Sequence, residues 1–137
     1  MPIEFTPDEL DRIGAAFDLA RSGGTAELTD LIDSGWPANL TNSQGDSLLI
    51  LAAYHRNAAT VAALIERGAD LDRVNDRGQT AVSAAVFRRD AVVVRTLLDA
   101  GADPELGRQN APTVAAFFDL PEMTALLAGY RRPSTGT

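Results

Sequence analysis

The chain has 137 residues, 45% of them hydrophobic and 23% charged, and 19 acidic against 12 basic residues give a formal net charge of −7. That length fits one domain able to bury a core, and the acidity excludes nucleic acid and anionic membranes as expected partners, since both are bound through basic surfaces. The chain has no cysteine, which removes disulfides, thiolate metal sites and a cysteine nucleophile.

The start, Met1-Pro2-Ile3-Glu4-Phe5, lacks the basic and apolar regions of a signal peptide, and no apolar run reaches membrane-spanning length. The cytoplasm is therefore the expected location. Every basic side chain is arginine; with so much alanine, this fits a GC-rich, bacterial coding bias.

Thr6-Pro7-Asp8-Glu9 predicts a helix start, with Thr6 as cap, Pro7 in the first turn and Glu9 completing a capping box. Ile13, Ala16, Phe17 and Ala20 fall on one stripe at helical spacing, and Gly23-Gly24 breaks the helix. Leu28, Leu31 and Ile32 mark a second short helix ended by Gly35. Glu9, Asp11, Arg12 and Asp18 make the outer face of this pair charged, as a terminal unit without a neighbour requires.

Two longer units follow. Asn42 and Asn75 open turns through side-chain bonds to nearby amides, and Gly45 and Gly78 supply positive φ. Ser47 and Thr80 are natural caps for the next helix. Ala52-Ala53 and Ala84-Ala85 keep that helix thin. Val61, Leu64 and Ile65, then Val94, Leu97 and Leu98, form the buried stripe of the second helix of each pair. Gly68 and Gly101 end those helices in the left-handed conformation. In the last unit, a helix over Ala115–Phe118 and another from Pro121 to Leu127 are expected, with Arg108-Gln109-Asn110 standing where the earlier units have their glycine turn. The polar tail 131–137 is expected to be disordered.

Gly45 and Gly78, Ser47 and Thr80, Ala52 and Ala85, and Gly68 and Gly101 each lie 33 residues apart. A fixed period of this size indicates a stacked repeat array. With the paired alanines, the leucine-rich second helix and the returning Gly-Ala-Asp, the chain resembles the ankyrin repeat. Four repeats are recognisable, over roughly 5–38, 39–71, 72–104 and 105–130, making one domain over 1–130. Some residues depart from the family pattern: Ser47-Leu48-Leu49-Ile50 and Thr80-Ala81-Val82-Ser83 lack its Thr-Pro-Leu-His, Arg56-Asn57 and Arg89-Asp90 replace its Gly-His, and Gly35-Trp36-Pro37-Ala38 replaces the first Gly-Ala-Asp. The resemblance implies an all-α solenoid of helix–turn–helix repeats with polar caps, and binding of proteins rather than catalysis.

The residues offer little chemistry of their own. One histidine, His55, cannot form a His-pair metal site, and its formal grouping with Ser22, Ser47 and Asp46 has no nucleophile-elbow motif behind it. Asp70, Asp72 and Asp76 match no calcium loop and read as a solvated acidic turn. No phosphate-cradling glycine loop is present, and Asn39-Leu40-Thr41 meets the glycosylation pattern without a secretory signal. No cofactor and no metal is expected.

The ankyrin resemblance implies that the positions after the paired alanines face a concave groove, edged by the turns. On this chain these are Arg21-Ser22, Tyr54-His55, Phe87-Arg88 and Phe117-Phe118, with Gln44, Asp46, Arg77 and Gln79 in the turns. Tyr, Phe and Arg are typical interface anchors. Tyr54 and Phe87 are expected to be exposed, whereas Phe117 and Phe118 read equally well as gap-fillers or contacts. Trp36 either covers the first seam between repeats, the preferred reading, or makes a second contact. The expected function is that of a monomeric, non-catalytic protein-binding module whose acidity favours a partner with a basic patch; an accessory or small-ligand-sensing subunit of an enzyme is the alternative.

Overall fold

The computed structural model describes residues 5–130, so the expected tail lies outside the described residues. Eight helices follow one another: α1 (Pro7–Ser22), α2 (Thr25–Asp33), α3 (Leu48–Tyr54), α4 (Ala58–Glu66), α5 (Ala81–Phe87), α6 (Ala91–Asp99), α7 (Ala111–Phe117) and α8 (Pro121–Gly129). They stack as four antiparallel pairs. α1, α3, α5 and α7 lie side by side in one layer, and α2, α4 and α6 form the second, each packed on its own partner; α8 packs on α7. No strand is present among the described residues, and one isolated antiparallel bridge joins Thr41 and Ser47. The fold is the expected all-α repeat solenoid.

Local chemistry sets the helix ends. Thr6 Oγ1 accepts from the Glu9 amide at 3.1 Å while the Glu9 carboxylate accepts from the Thr6 amide at 2.9 Å. Ser47 caps α3 through the Ile50 amide, and Thr80 and Ser83 cap α5 reciprocally. Asn110 Oδ1 takes the Thr113 amide to start α7. Each such cap contributes about 1 kcal/mol.

The inner layer is narrow because its contact residues are small. Ala52, Ala53, Ala81, Ala84 and Ala85 are fully buried between neighbouring helices, with Leu64, Val86, Val94 and Leu97 behind them. Ala85→Leu should force neighbouring helices apart and cost about 1–3 kcal/mol. An unchanged urea midpoint for that variant would mean that Ala85 does not lie in the seam.

The turns are built from side chains bonded to backbone. Asn42 Oδ1 accepts from the amides of Gln44 and Asp46, and Asn75 Oδ1 from those of Arg77 and Gln79. Successive turns are then tied together. The Asp76 amide donates to the Gln44 carbonyl and the Gln109 amide to the Gly78 carbonyl. Asn39 Oδ1 accepts from the Asp70 amide at 2.7 Å, and Asp72 Oδ1 from the Asp103 amide at 2.9 Å. Asp70 also bonds the Asp72 amide. The stretch read as a solvated acidic turn thus uses Asp70 and Asp72 to hold backbone, and Asn39 is engaged in the same way. The final shortened turn keeps a left-handed glycine after all: Gly107 has φ +87° and lies against the backbone of Gly78. Its offset from Gly78 departs from the 33-residue period, so the expectation that Arg108-Gln109-Asn110 replaces the glycine turn does not hold.

The short links within each pair carry a different feature. Arg56, Arg89 and Asp119 have φ of +63°, +60° and +51°, the left-handed conformation that Gly23 takes in the first pair. Asn57 Nδ2 donates to the carbonyls of Ala20 and Arg21, satisfying the end of α1. Asp90 instead caps α6 and lies 3.6 Å from Arg56. Arg89 makes no ion pair among the described residues. Arg89→Gly should therefore stabilise the fold by roughly 0.5–1 kcal/mol, the relief of left-handed strain less the extra freedom of an unfolded glycine. A lower melting temperature for that variant would refute this account of the link. Trp36 is half-buried just beyond α2, with its amide bonded to the Leu31 carbonyl.

Candidate partner-binding groove

The C-terminal ends of α3, α5 and α7 come together on one face. Tyr54 is the last residue of α3 and Phe87 of α5, and their rings stack at 6.1 Å with 12° between planes. Phe118 meets Phe87 edge-on at 5.2 Å, and Phe117 meets Phe118 edge-on at 4.9 Å. His55 lies edge-on to Tyr54 at 5.2 Å, and the Arg88 guanidinium sits 5.1 Å from the Tyr54 ring centre. One aromatic row therefore crosses three repeats.

Exposure rises along it. Tyr54 is half-buried, held between its neighbours, rather than open as expected; Phe87 is 38% exposed, Phe118 46% and Phe117 79%. The two phenylalanines with an undecided role are thus the most exposed of the row. Phe118 continues the stack, and Phe117 projects beyond it. The signal lay in their place at the end of the last inner helix, but the shortened repeat obscured which of the two succeeds Phe87.

Beside the row lies an open hollow of about 430 Å³, edged by Arg21, His55, Gln44, Arg77 and Gln79 and floored by Ile50 and Leu51. Arg21 pairs with Asp18 at 3.0 Å. Gln79 Oε1 accepts from Asn75 Nδ2. Asp46 differs from the other expected contact residues, because it is buried. Its Oδ1 accepts from Asn75 Nδ2 at 2.7 Å, and Oδ2 is 3.8 Å from Arg77. Its carboxylate lines the hollow while bracing two turns. Partial desolvation of the ring, then the nearby Arg88 and Arg21, push the His55 pKa below its usual value.

Of the hydroxyls near His55, Ser47 caps α3 and Ser22 bonds the Leu19 carbonyl. Among the described residues no cluster of three or more His, Asp or Glu side chains is placed to hold a metal. No helix there is long and apolar enough to cross a membrane.

A profile of ankyrin repeats in three copies matches residues 17–108. The chain belongs to the ankyrin repeat family, whose members are in general protein–protein interaction modules. It is similar to an ankyrin repeat protein of Pseudomonas aeruginosa, 56% identical over 45 residues, which are 33% of this chain and 26% of that protein. It is also similar to the crystal structure of the human ASB11 ankyrin repeat domain, with a TM-score of 0.74 and 28% identity over 85% of this chain. This chain covers 54% of that domain, so both relatives extend well beyond the part matched.

Proposed function

We propose that the chain is a monomeric, non-catalytic module of the cytoplasm that binds a protein partner through the aromatic row and the adjoining turn tips. The observation that carries this reading is the row itself: three phenylalanine rings left exposed, in contact with one another, on a frame fixed by interlocked turns. A preformed surface loses little conformational entropy on docking, so a few anchors suffice. The net charge of −7 favours a partner with a basic surface by speeding encounter. A small-ligand sensor would be favoured by a closed apolar cavity with convergent polar groups; the hollow beside the row is open and edged by polar side chains.

The test pairs stability with affinity. Phe117→Ala should leave the urea midpoint within about ±0.5 kcal/mol, as exposed substitutions do. Phe87→Ala and Phe118→Ala should weaken binding of a partner captured on the immobilised chain by about 2 kcal/mol or more, as lost aromatic anchors do. Undiminished affinity in all three folded variants would remove the row from the interface.

A further inference from the structure

Resting on that reading of the groove, we propose that the partner segment it takes carries a carboxylate side chain next to an aromatic or aliphatic one, with the carboxylate held by Arg88 and the apolar neighbour on Phe87 and Phe118. The whole chain is acidic, yet this face is not. Arg88 lies over Tyr54, and Arg21 and His55 stand at the neighbouring helix ends. Of the acidic groups nearby, Asp18 is committed to Arg21 and Asp46 to Asn75 and Arg77, leaving Asp76 in the lining of the hollow and Asp119 next to Phe118 in the chain. Arg88 has no ion-pair partner among the described residues. Stacking on a ring leaves the N–H fork of a guanidinium available, and that fork matches the two oxygens of a carboxylate. Desolvation is the first cause of the depressed His55 pKa, and Arg88 and Arg21 add to it; an incoming carboxylate would oppose these two. A lysine or arginine entering here would meet Arg88 and Arg21 instead. The long-range pull of the net charge on a basic partner and the short-range choice of an acidic residue act at different distances and are compatible.

A random peptide library displayed on phage, panned against the full chain, supplies the probes. Enriched peptides should carry Asp or Glu beside an aromatic or aliphatic residue. Synthesised, they should bind the Arg88→Ala variant about tenfold to a hundredfold more weakly, the usual value of a hydrogen bond to a charged group, and Arg88→Lys should restore only part of the loss. The single histidine gives an independent readout, because the protonation midpoint of His55 followed by NMR should rise when such a peptide is bound. Basic peptides that lose affinity with Phe87→Ala would overturn the carboxylate but keep the groove. Peptides indifferent to Phe87→Ala, Phe118→Ala and Arg88→Ala, or no enrichment at all, would overturn both.

Discussion

Replacing Gly107 by alanine should destabilise the chain by about 3 kcal/mol, combining left-handed strain with overpacking. A Cβ at this position would stand 2.3 Å from the Gly78 carbonyl oxygen and 3.2 Å from its carbon, and φ is +87°. The obstacle is backbone, so no side-chain rotation can relieve it. The same carbonyl accepts the Gln109 amide, so any shift of the turn weakens that bond too. Gly68 and Gly101 separate the two causes. Both have positive φ, but an added Cβ would meet nothing within 4 Å. Gly68→Ala and Gly101→Ala should therefore cost only the conformational share, about 1 kcal/mol. Equal urea midpoints for all three variants would show that the contact between Gly107 and Gly78 is not made in solution.

Asn75→Ala should cost about 3 kcal/mol or more, because it strands a buried carboxylate as well as removing hydrogen bonds. Asn75 is buried; its Oδ1 holds the amides of Arg77 and Gln79, and its Nδ2 serves Asp46 and the Gln79 side chain. Asn42 occupies the equivalent place one repeat earlier and holds two amides, with no buried carboxylate depending on it. Asn42→Ala should cost about 1–2 kcal/mol, so the two asparagines should differ clearly in chemical denaturation. If Asp46→Asn in the Asn75→Ala background restores no stability, the stranded carboxylate is not the reason for the larger loss.

The features legible in the sequence are those decided within one turn or one helix. Thr6 with Glu9, Ser47, Thr80, Gly45, Gly78, Gly68 and Gly101 act at short separations, so their residue types announce their conformations. The period then supplies the stacking, because units this similar bury similar faces. What escaped depends on contacts between turns about one repeat apart. Asp46 looks like an exposed turn acid until Asn75 is placed over it, and Asp72 looks solvated until the Asp103 amide meets it. Gly107 is hidden for the same reason, since only the approach of Gly78 makes a glycine necessary there. In the groove, the positions of Tyr54, His55, Phe87 and Arg88 are those the ankyrin resemblance implies when carried onto the repeat register. That Tyr54 is half-buried, and that Phe118 rather than Phe117 extends the stack, follows from ring packing across helices, which spacing along the chain does not encode.

The hydrogen bonds tying the turns together have a direction. Asp70 and Asp103 give their amides to Asn39 and Asp72, Asp76 and Gln109 give theirs to the carbonyls of Gln44 and Gly78, and Asn57 and Asn75 donate to Ala20, Arg21 and Asp46. The Tyr130 hydroxyl likewise donates back to the Leu98 carbonyl. In each case the later element donates and the earlier one accepts. The stack consequently has a donor end and an acceptor end, like a strip of hooks and loops. An engineered repeat joined after α8 would therefore have to bring amides rather than carboxylates to its first turn.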